Sequence, residues 1–272
     1  MKLKEIPLSI FHTLQLQILN PTKLNTKKID SVPVIVSLTS IPSRLKYIHI
    51  TIRSILNQNV QPKKVILWLN ENDIDKIPSS LKKMQGLIFE INYSKINCPH
   101  LKLVENLKKY PNDIIATCDD DFIYDKNWLK SLYESHLKHP KAIIAHRVRQ
   151  IQYNPLGELL PYKQWKLKNI KNTKTLLAIG SEGVLYSPNS LDEITTDDKL
   201  FLKLAPKADD LWFKAMSLLK ETEIIKCENS PKNLIPVFGT QEVSLKKENV
   251  DNNKNLTQWE SLTKYFNFEI KD

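Results

Sequence analysis

The chain has 272 residues, 41% of them hydrophobic, with a formal charge of +10 and a pI of about 9.3. That suffices for one large domain with appendages, and the positive balance suits polyanionic partners such as nucleotide phosphates or an anionic membrane face. Three isolated cysteines (Cys98, Cys118, Cys227) argue against a disulfide scaffold or zinc ribbon, five glycines spell neither a dinucleotide fingerprint nor a Walker loop, and the histidines form no His-Glu-x-x-His pattern.

In chain order, residues 6–19 form the first apolar stretch, interrupted by Ser9, His12, Gln15 and Gln17. It falls short of the ~18–20 residues of a membrane-spanning helix. It also lacks a small-residue cleavage site, so it is not read as a secretory leader. It reads as a helix packed on the domain; the alternative is an amphipathic segment on a membrane surface, with Lys2, Lys4, Lys23, Lys27 and Lys28 nearby. Residues 33–40 form the first strand and end in the hydroxyls of Thr39 and Ser40. A turn at 41–44 follows, with Ser43 placed to cap a helix, and apolar residues at Leu45, Ile48, Ile52, Ile55 and Leu56 carry helical spacing over 44–57. A second strand at 64–69 ends in the polar loop Asn70-Glu71-Asn72-Asp73. A short helix over 78–84, a strand over 87–93 and a helix over 99–110 come next.

The stretch 113–124 begins as a short apolar strand and ends in Asp119-Asp120-Asp121. Adjacent carboxylates at the carboxyl end of a strand repel one another unless a cation or donors sit among them. In open α/β sheets that end is where ligands bind. Asp119 and Asp121 are therefore expected to converge on a divalent cation, Mg²⁺ or Mn²⁺, both of which favour oxygen ligands. The competing reading is a solvated acidic turn with an Asp as N-cap. A helix over 128–137 and a strand over 142–146 complete the regular part. The alternation predicts an α/β fold with a mostly parallel sheet flanked by helices on both faces, and places the end of the first strand and the Asp triplet on one rim.

Beyond His146 the pattern weakens. Residues 150–174 are polar, basic and aromatic without a clear period, and read as a long excursion over the active face. Residues 175–186 are apolar but interrupted by Gly180-Ser181-Glu182-Gly183, where glycines permit close backbone approach or a bulge. A helix begins near Pro206 and carries Asp209-Asp210 in its first turn, where acids complement the helix dipole. A strand over 223–227, a polar loop-rich stretch over 229–255 and a short amphipathic helix over 257–266 close the chain, with no internal repeat.

The order of these features resembles family 2-like glycosyltransferases of the GT-A fold, over roughly 34–219. What carries it is a first strand ending in Thr39-Ser40, a second ending in the Asn70–Asp73 loop, Asp119-x-Asp121, then Gly180-Ser181-Glu182-Gly183 and Asp209-Asp210. The nearest likeness is to bacterial enzymes of capsule, lipopolysaccharide or other surface-glycan synthesis. The resemblance implies that Asp119 and Asp120 touch a nucleotide-sugar donor, with Asp119 and Asp121 holding Mn²⁺ or Mg²⁺ on its diphosphate. It places Thr39, Ser40, Arg44, Asn70, Asp73 and Lys102 around the nucleotide, and Gly180, Ser181, Glu182 and Gly183 beside the sugar and acceptor. Asp210 matches the base of the family's acidic pair. The usual first member of that pair is Glu and here it is Asp209, so the base is Asp210 or Asp209. No basic motif closing over the diphosphate is visible.

These matches imply an inverting, metal-assisted hexosyltransferase that uses a uridine diphosphate sugar and acts on a glycan or lipid-linked acceptor. It is expected in the cytoplasm, either free or peripheral to the inner face of the membrane. Residues 1–30 would be a helical appendage, 31–228 the GT-A-like catalytic domain, and 229–272 a C-terminal loop and helix. Two rival readings are a metal-dependent phospho- or nucleotidyltransferase, which would need a Gly-rich phosphate loop that is missing, and a non-catalytic basic module for nucleic acid or anionic glycan. The scattered lysines and the lack of any nucleic-acid-binding signature speak against the latter, and no nucleic-acid partner is expected.

Overall fold

The computed structural model describes residues 5–26, 30–166, 172–231, 234–240 and 254–268. The sheet is built on four parallel strands; the near-continuous apolar runs of the first, second and fourth are buried on both faces, whereas the third is the sheet's edge and leaves Tyr93 exposed. They are β1 (Ser31–Thr39), β2 (Gln61–Asn70), β3 (Phe89–Ser94) and β4 (Ile114–Thr117). Alternate residues divide between two cores. Val34, Val36 and Leu38 face α3 (Ile48–Leu56) and α6 (Trp128–Lys138), whereas Ile35 and Ile115 face α5 (Leu101–Lys109) and its neighbours. Val34, Ile35 and Val36 are fully buried, and each such side chain stabilises the fold by about 1.5–3 kcal/mol.

The seven-stranded sheet has the order β10-β6-β9-β4-β1-β2-β3. β6 (Ile143–Ala145) and β10 (Ile224–Lys226) pair in parallel, and β9 (Val184–Tyr186) is antiparallel to both β4 and β6. The mostly parallel, helix-flanked sheet expected from the alternation is present. Two small ribbons flank it: β5 (Phe122–Ile123) with β11 (Ile235–Pro236), and β7 (Val148–Gln150) with β8 (Leu176–Ala178).

Several boundaries differ from expectation for identifiable reasons. Pro42 opens a separate 3-10 turn, Pro42–Arg44, so α3 starts at Ile48 with Tyr47 before it, and Ser43 caps nothing. The 78–84 helix shortens to α4 (Ser79–Lys82). The polar loop after β2 winds into a 3-10 turn, Glu71–Lys76, capped by the Asn70 side chain. The stretch 150–174 is less irregular than its composition suggests. Tyr153 bridges Leu159, and Trp165 is fully buried, donating its indole N–H to the Leu160 carbonyl at 2.7 Å. Residues 167–171 of that stretch lie outside the described residues, as do 232–233 and 241–253 of the expected loop at 229–255.

α7 (Asp198–Leu204) was not expected, although Asp197 caps it by accepting the Leu200 N–H at 3.0 Å. α7 and α8 (Asp209–Leu219) pack with α9 (Lys254–Phe266), whose Trp259 is fully buried. At the other end, α1 (Ile6–Gln17) lies over α3 and β11, and α2 (Pro21–Leu24) is capped by Asn20. Among the described residues no helix is long and apolar enough to cross a membrane.

Candidate active site

Because β1, β2 and β4 are parallel, their carboxyl ends share one rim, and the loops leaving them build the site. β1 pairs with β4 up to Ser37 and Thr117, which carries Ser40 to the Asp triplet. Ser40 Oγ donates to the Asp120 carboxylate. The Arg44 fork spans two members of the triplet: Nη1 is 2.5 Å from Asp120 Oδ1 and Nη2 is 3.2 Å from Asp121 Oδ2. Thr51 of α3 donates to the Asp120 carbonyl at 2.9 Å, which pins the turn itself.

The third carboxylate turns the other way. Asp119 Oδ1 lies 2.7 Å from Lys102 Nζ, and the same ammonium is 2.9 Å from Asp209 Oδ2 at the start of α8. Lys102 thereby joins acids that are far apart in the chain. Burial works against its charge, but Asp119, Asp209 and Asp210 outweigh it and raise its pKa. At Asp209 burial is likewise overcome, by Lys102 and His100, and the carboxyl is held below its ordinary value.

Asp210 behaves oppositely. Burial, then repulsion from Asp209, push it up to about 8. Its Oδ1 accepts the Gly180 N–H at 3.0 Å. Neither acid is the helix cap, since Ala208 occupies that position and makes no side-chain cap.

The Gly180–Gly183 segment is a 3-10 turn, Gly180–Glu182, closed by Gly183. A Cβ on Gly180 would lie 2.7 Å from Asp210 Oδ1 and 3.1 Å from Lys102 Nζ, so glycine is what lets the backbone reach the acid. Gly183 has φ +115, and a Cβ there would meet the Trp128 indole at 2.4 Å. Tyr124 ties this turn to the triplet. Its hydroxyl accepts the Asp119 N–H at 2.9 Å and donates to the Ser181 carbonyl at 2.9 Å. Trp128 Nε1 donates to the Glu182 carbonyl at 2.7 Å, and the Glu182 side chain pairs with Arg147 at 2.6 Å.

The structure thus gathers Ser40, Arg44, Lys102, Asp119, Asp120, Asp121, Asp209, Asp210 and the Gly180–Gly183 turn. Thr39, Asn70 and Asp73 stand on the same rim but are occupied with the loop beside it. Thr39 Oγ1 donates to the Trp68 carbonyl at 2.8 Å, Asn70 Nδ2 donates to the Ile96 carbonyl at 3.0 Å, and Asp73 pairs with Lys76 at 2.7 Å. Next to Arg44 is a cleft of about 410 Å³, lined also by Ser43, Tyr47, Lys76 and Gly239.

The glycosyl transferase family 2 model matches residues 41–186, over half of the chain. The chain belongs to glycosyl transferase family 2. No curated protein matches it. Among solved structures, this family 2 member is similar to S. aureus TarS 1–349, with 15% identity and a TM-score of 0.48 over 75% of this chain and 59% of that one. It is also similar to the same protein in complex with UDP-GlcNAc, at 17% identity and TM-score 0.47 over 75% and 57%. A 4-diphosphocytidyl-2C-methyl-D-erythritol synthase from Anaerococcus prevotii is similar at 11% identity and TM-score 0.46, over 82% of this chain and 95% of that one. In these two matches the chain spans under two thirds of the TarS fragment.

A divalent cation at this rim would draw on the carboxylates of the Asp triplet. Among the described residues no three His, Cys, Asp or Glu side chains form a ready cage. The expected pair does not converge on one point either, because Asp119 is drawn to Lys102 and Asp121 to Arg44. Even so, two carboxylates on one strand end fit Mg²⁺ or Mn²⁺ held jointly with substrate phosphates, and Asp119, with its side chain 35% exposed, is open to solvent.

Sequence reasoning missed Tyr124, Trp128 and Arg147, although Tyr124 lies within the stretch it singled out. It also missed Tyr162, whose hydroxyl is pushed up to about 12 by burial and, next, by the Asp210 charge. Tyr162 also packs in the same core as Ile179, Ala208 and Leu211, which brings part of the 150–174 segment beside the acidic pair.

Proposed function

We propose that this family 2 glycosyltransferase moves a hexosyl group from a nucleotide diphosphate sugar, a uridine diphosphate sugar, to a hydroxyl of a glycan or lipid-linked acceptor, with inversion. In this reading residues 31–228 are the catalytic domain, 1–30 and 229–272 are appendages, and the reaction is cytoplasmic, in surface-glycan synthesis such as that of capsule or lipopolysaccharide. The observation that carries it is Asp210: a carboxylate raised to about 8, oriented by the Gly180 N–H, and joined through Asp209 and Lys102 to the Asp triplet. A group with a pKa near the working pH is suited to general-base work.

The roles divide by position. Arg44 and Lys102 meet the donor's negative charge, the cleft lined by Arg44, Tyr47 and Lys76 offers room for part of the nucleotide, and Thr39, Ser40, Asn70, Asp73 and Asp120 lie on the rim beside it. Asp119 and Asp121 would hold Mn²⁺ or Mg²⁺, which when bound supplies Lewis-acid stabilisation to the leaving diphosphate. Asp210 takes the proton from the attacking acceptor hydroxyl. Gly180, Ser181, Glu182 and Gly183 form the wall beside the transferred sugar. Asp209, tied to Lys102 and held below its ordinary pKa, is the weaker candidate for the base.

Asp210→Asn tests the assignment, because it keeps size but cannot accept the proton. Uridine diphosphate affinity should stay near the parent's, and sugar transfer should fall at least about a hundredfold. Transfer at the parent rate by both Asp210→Asn and Asp209→Asn would remove this mechanism.

A further inference from the structure

The start of β7 sets two guanidinium groups beside the turn that orients Asp210. Arg147 and Arg149 stand two residues apart on extended chain, so their side chains leave it on one face, while Val148 between them is turned into the core. The Ile179 N–H donates to the Arg147 carbonyl at 3.0 Å, and Arg149 stands opposite Leu177 in the β7–β8 ribbon. Both cations are thereby fixed to the chain that enters the Gly180–Gly183 turn. Arg147 reaches Glu182 of that turn at 2.6 Å, whereas Arg149 pairs with no acid among the described residues. Arg149 Nη1 donates to the Tyr162 and Trp165 carbonyls at 3.2 Å each, and its guanidinium lies over the Tyr162 ring, 4.7 Å from the centroid.

An aromatic hydroxyl completes the group. Tyr162 is 8% exposed, and its hydroxyl makes no hydrogen bond among the described residues. Burial and then the Asp210 charge push that hydroxyl up to about 12, and the Arg149 and Arg147 charges oppose them, so it stands among all three. A buried polar group without a partner costs free energy that a bound ligand would offset. The same holds for a half-buried guanidinium without a counter-charge, which is the state of Arg149.

We infer that Arg149, with Arg147 and Tyr162, forms a subsite for an anionic group on the acceptor, a phosphate or a carboxylate. A guanidinium fork offers either anion two parallel N–H donors, and the Tyr162 hydroxyl donates a further bond to it. Arg147, with its side chain 49% exposed, adds charge from the solvent side. A neutral sugar leaves the Arg149 charge and the Tyr162 hydroxyl unmet, which is how the site would tell an anionic acceptor from a neutral one. This subsite deepens the sugar-transfer reading and rests on it, since Asp210 as the base makes this side of the turn the acceptor's side.

The test is calorimetry on the full chain saturated with uridine diphosphate, which keeps added anions off Arg44 and Lys102. Glucose 6-phosphate, glucuronate and glucose are titrated in turn, the first two separating phosphate from carboxylate. At least one anion should bind at millimolar concentration where glucose does not, and Arg149→Gln should weaken it by at least about tenfold, the share of one charge-assisted bond. Tyr162→Phe removes a hydroxyl that holds nothing in the fold, so its melting temperature should match or exceed the parent's while anion binding weakens by about threefold or more. Uridine diphosphate affinity should be the same in all three proteins. Equal binding of glucose and the anions, no anion binding beside bound uridine diphosphate, or anion binding untouched by both variants would overturn the subsite alone. A parent that does not bind uridine diphosphate would overturn the sugar-transfer reading and the subsite with it.

Discussion

Three causes favour a proton on Asp210 and two oppose it. Burial and the charges of Asp209 and Asp119 raise the carboxyl, Lys102 and the Gly180 N–H lower it, and the balance leaves it at about 8. The folded protein therefore holds a proton that the unfolded chain releases near an ordinary value of about 4. Stability from this raised pKa is fully present below about pH 4 and is lost as pH rises to about 8. Asp210→Asn has no such proton to lose, so its melting temperature should gain on the parent's across that window; a constant difference would mean that Asp210 titrates normally. Transfer should climb with pH over the same range, with an apparent pKa belonging to the Asp209–Asp210 pair. Gly180→Ala acts on the same atom, because its new Cβ would lie 2.7 Å from Asp210 Oδ1. Displacing the base by a fraction of an ångström should cut turnover by about a hundredfold while uridine diphosphate affinity holds, which single-turnover kinetics with calorimetry would separate.

At the scale of elements, the end of β4 distributes its charges to two neighbours: Asp119 to α5, Asp120 and Asp121 to the turn after β1. Uridine diphosphate should bind more tightly with Mn²⁺ than with chelator, and Asp121→Ala should abolish that difference while leaving the fold intact, as the bond Asp121 accepts from the Val237 N–H, just past β11, uses the backbone carbonyl. Equal affinity of the parent in both conditions, by calorimetry, would remove the metal. The triplet, the strand that bears it and the hydroxyls ending β1 were legible because each is local: an apolar run followed by polar residues. Lys102 was placed near the nucleotide by resemblance, but its bond to Asp209 was not legible, since it joins the starts of two helices from distant parts of the chain. Gly180 announced a close approach without naming what approached. α7 carried a readable cap in Asp197, which went unused because its seven residues sit between stronger signals.

For the molecule as a whole, the helices beyond the sheet hold the acidic pair in place. Trp259 of α9 is fully buried against the layer that includes α7 and α8. Trp259→Ala should cost about 3–5 kcal/mol and lower the melting temperature, and urea titration should report that loss; an unchanged midpoint would mean α9 is not integral to the fold. The parallel sheet was legible from strand–helix alternation alone. Its far half was less so, because β9 is only three residues long and follows directly on the Gly180–Gly183 turn.

That far half bears on how the chain is made. β1 to β4 emerge in order and can pair as they appear, yet β4 lies between β1 and β9, and β9 comes only after α6, β6, β7 and β8. Until Val184–Tyr186 leaves the ribosome, the middle of the sheet presents an open edge made of Ile114, Ile115, Ala116 and Thr117. Bare apolar edges pair with other chains. Nascent chains stalled between Thr117 and Val184 are therefore the aggregation-prone population during synthesis, and holdase chaperones should be needed most in that window.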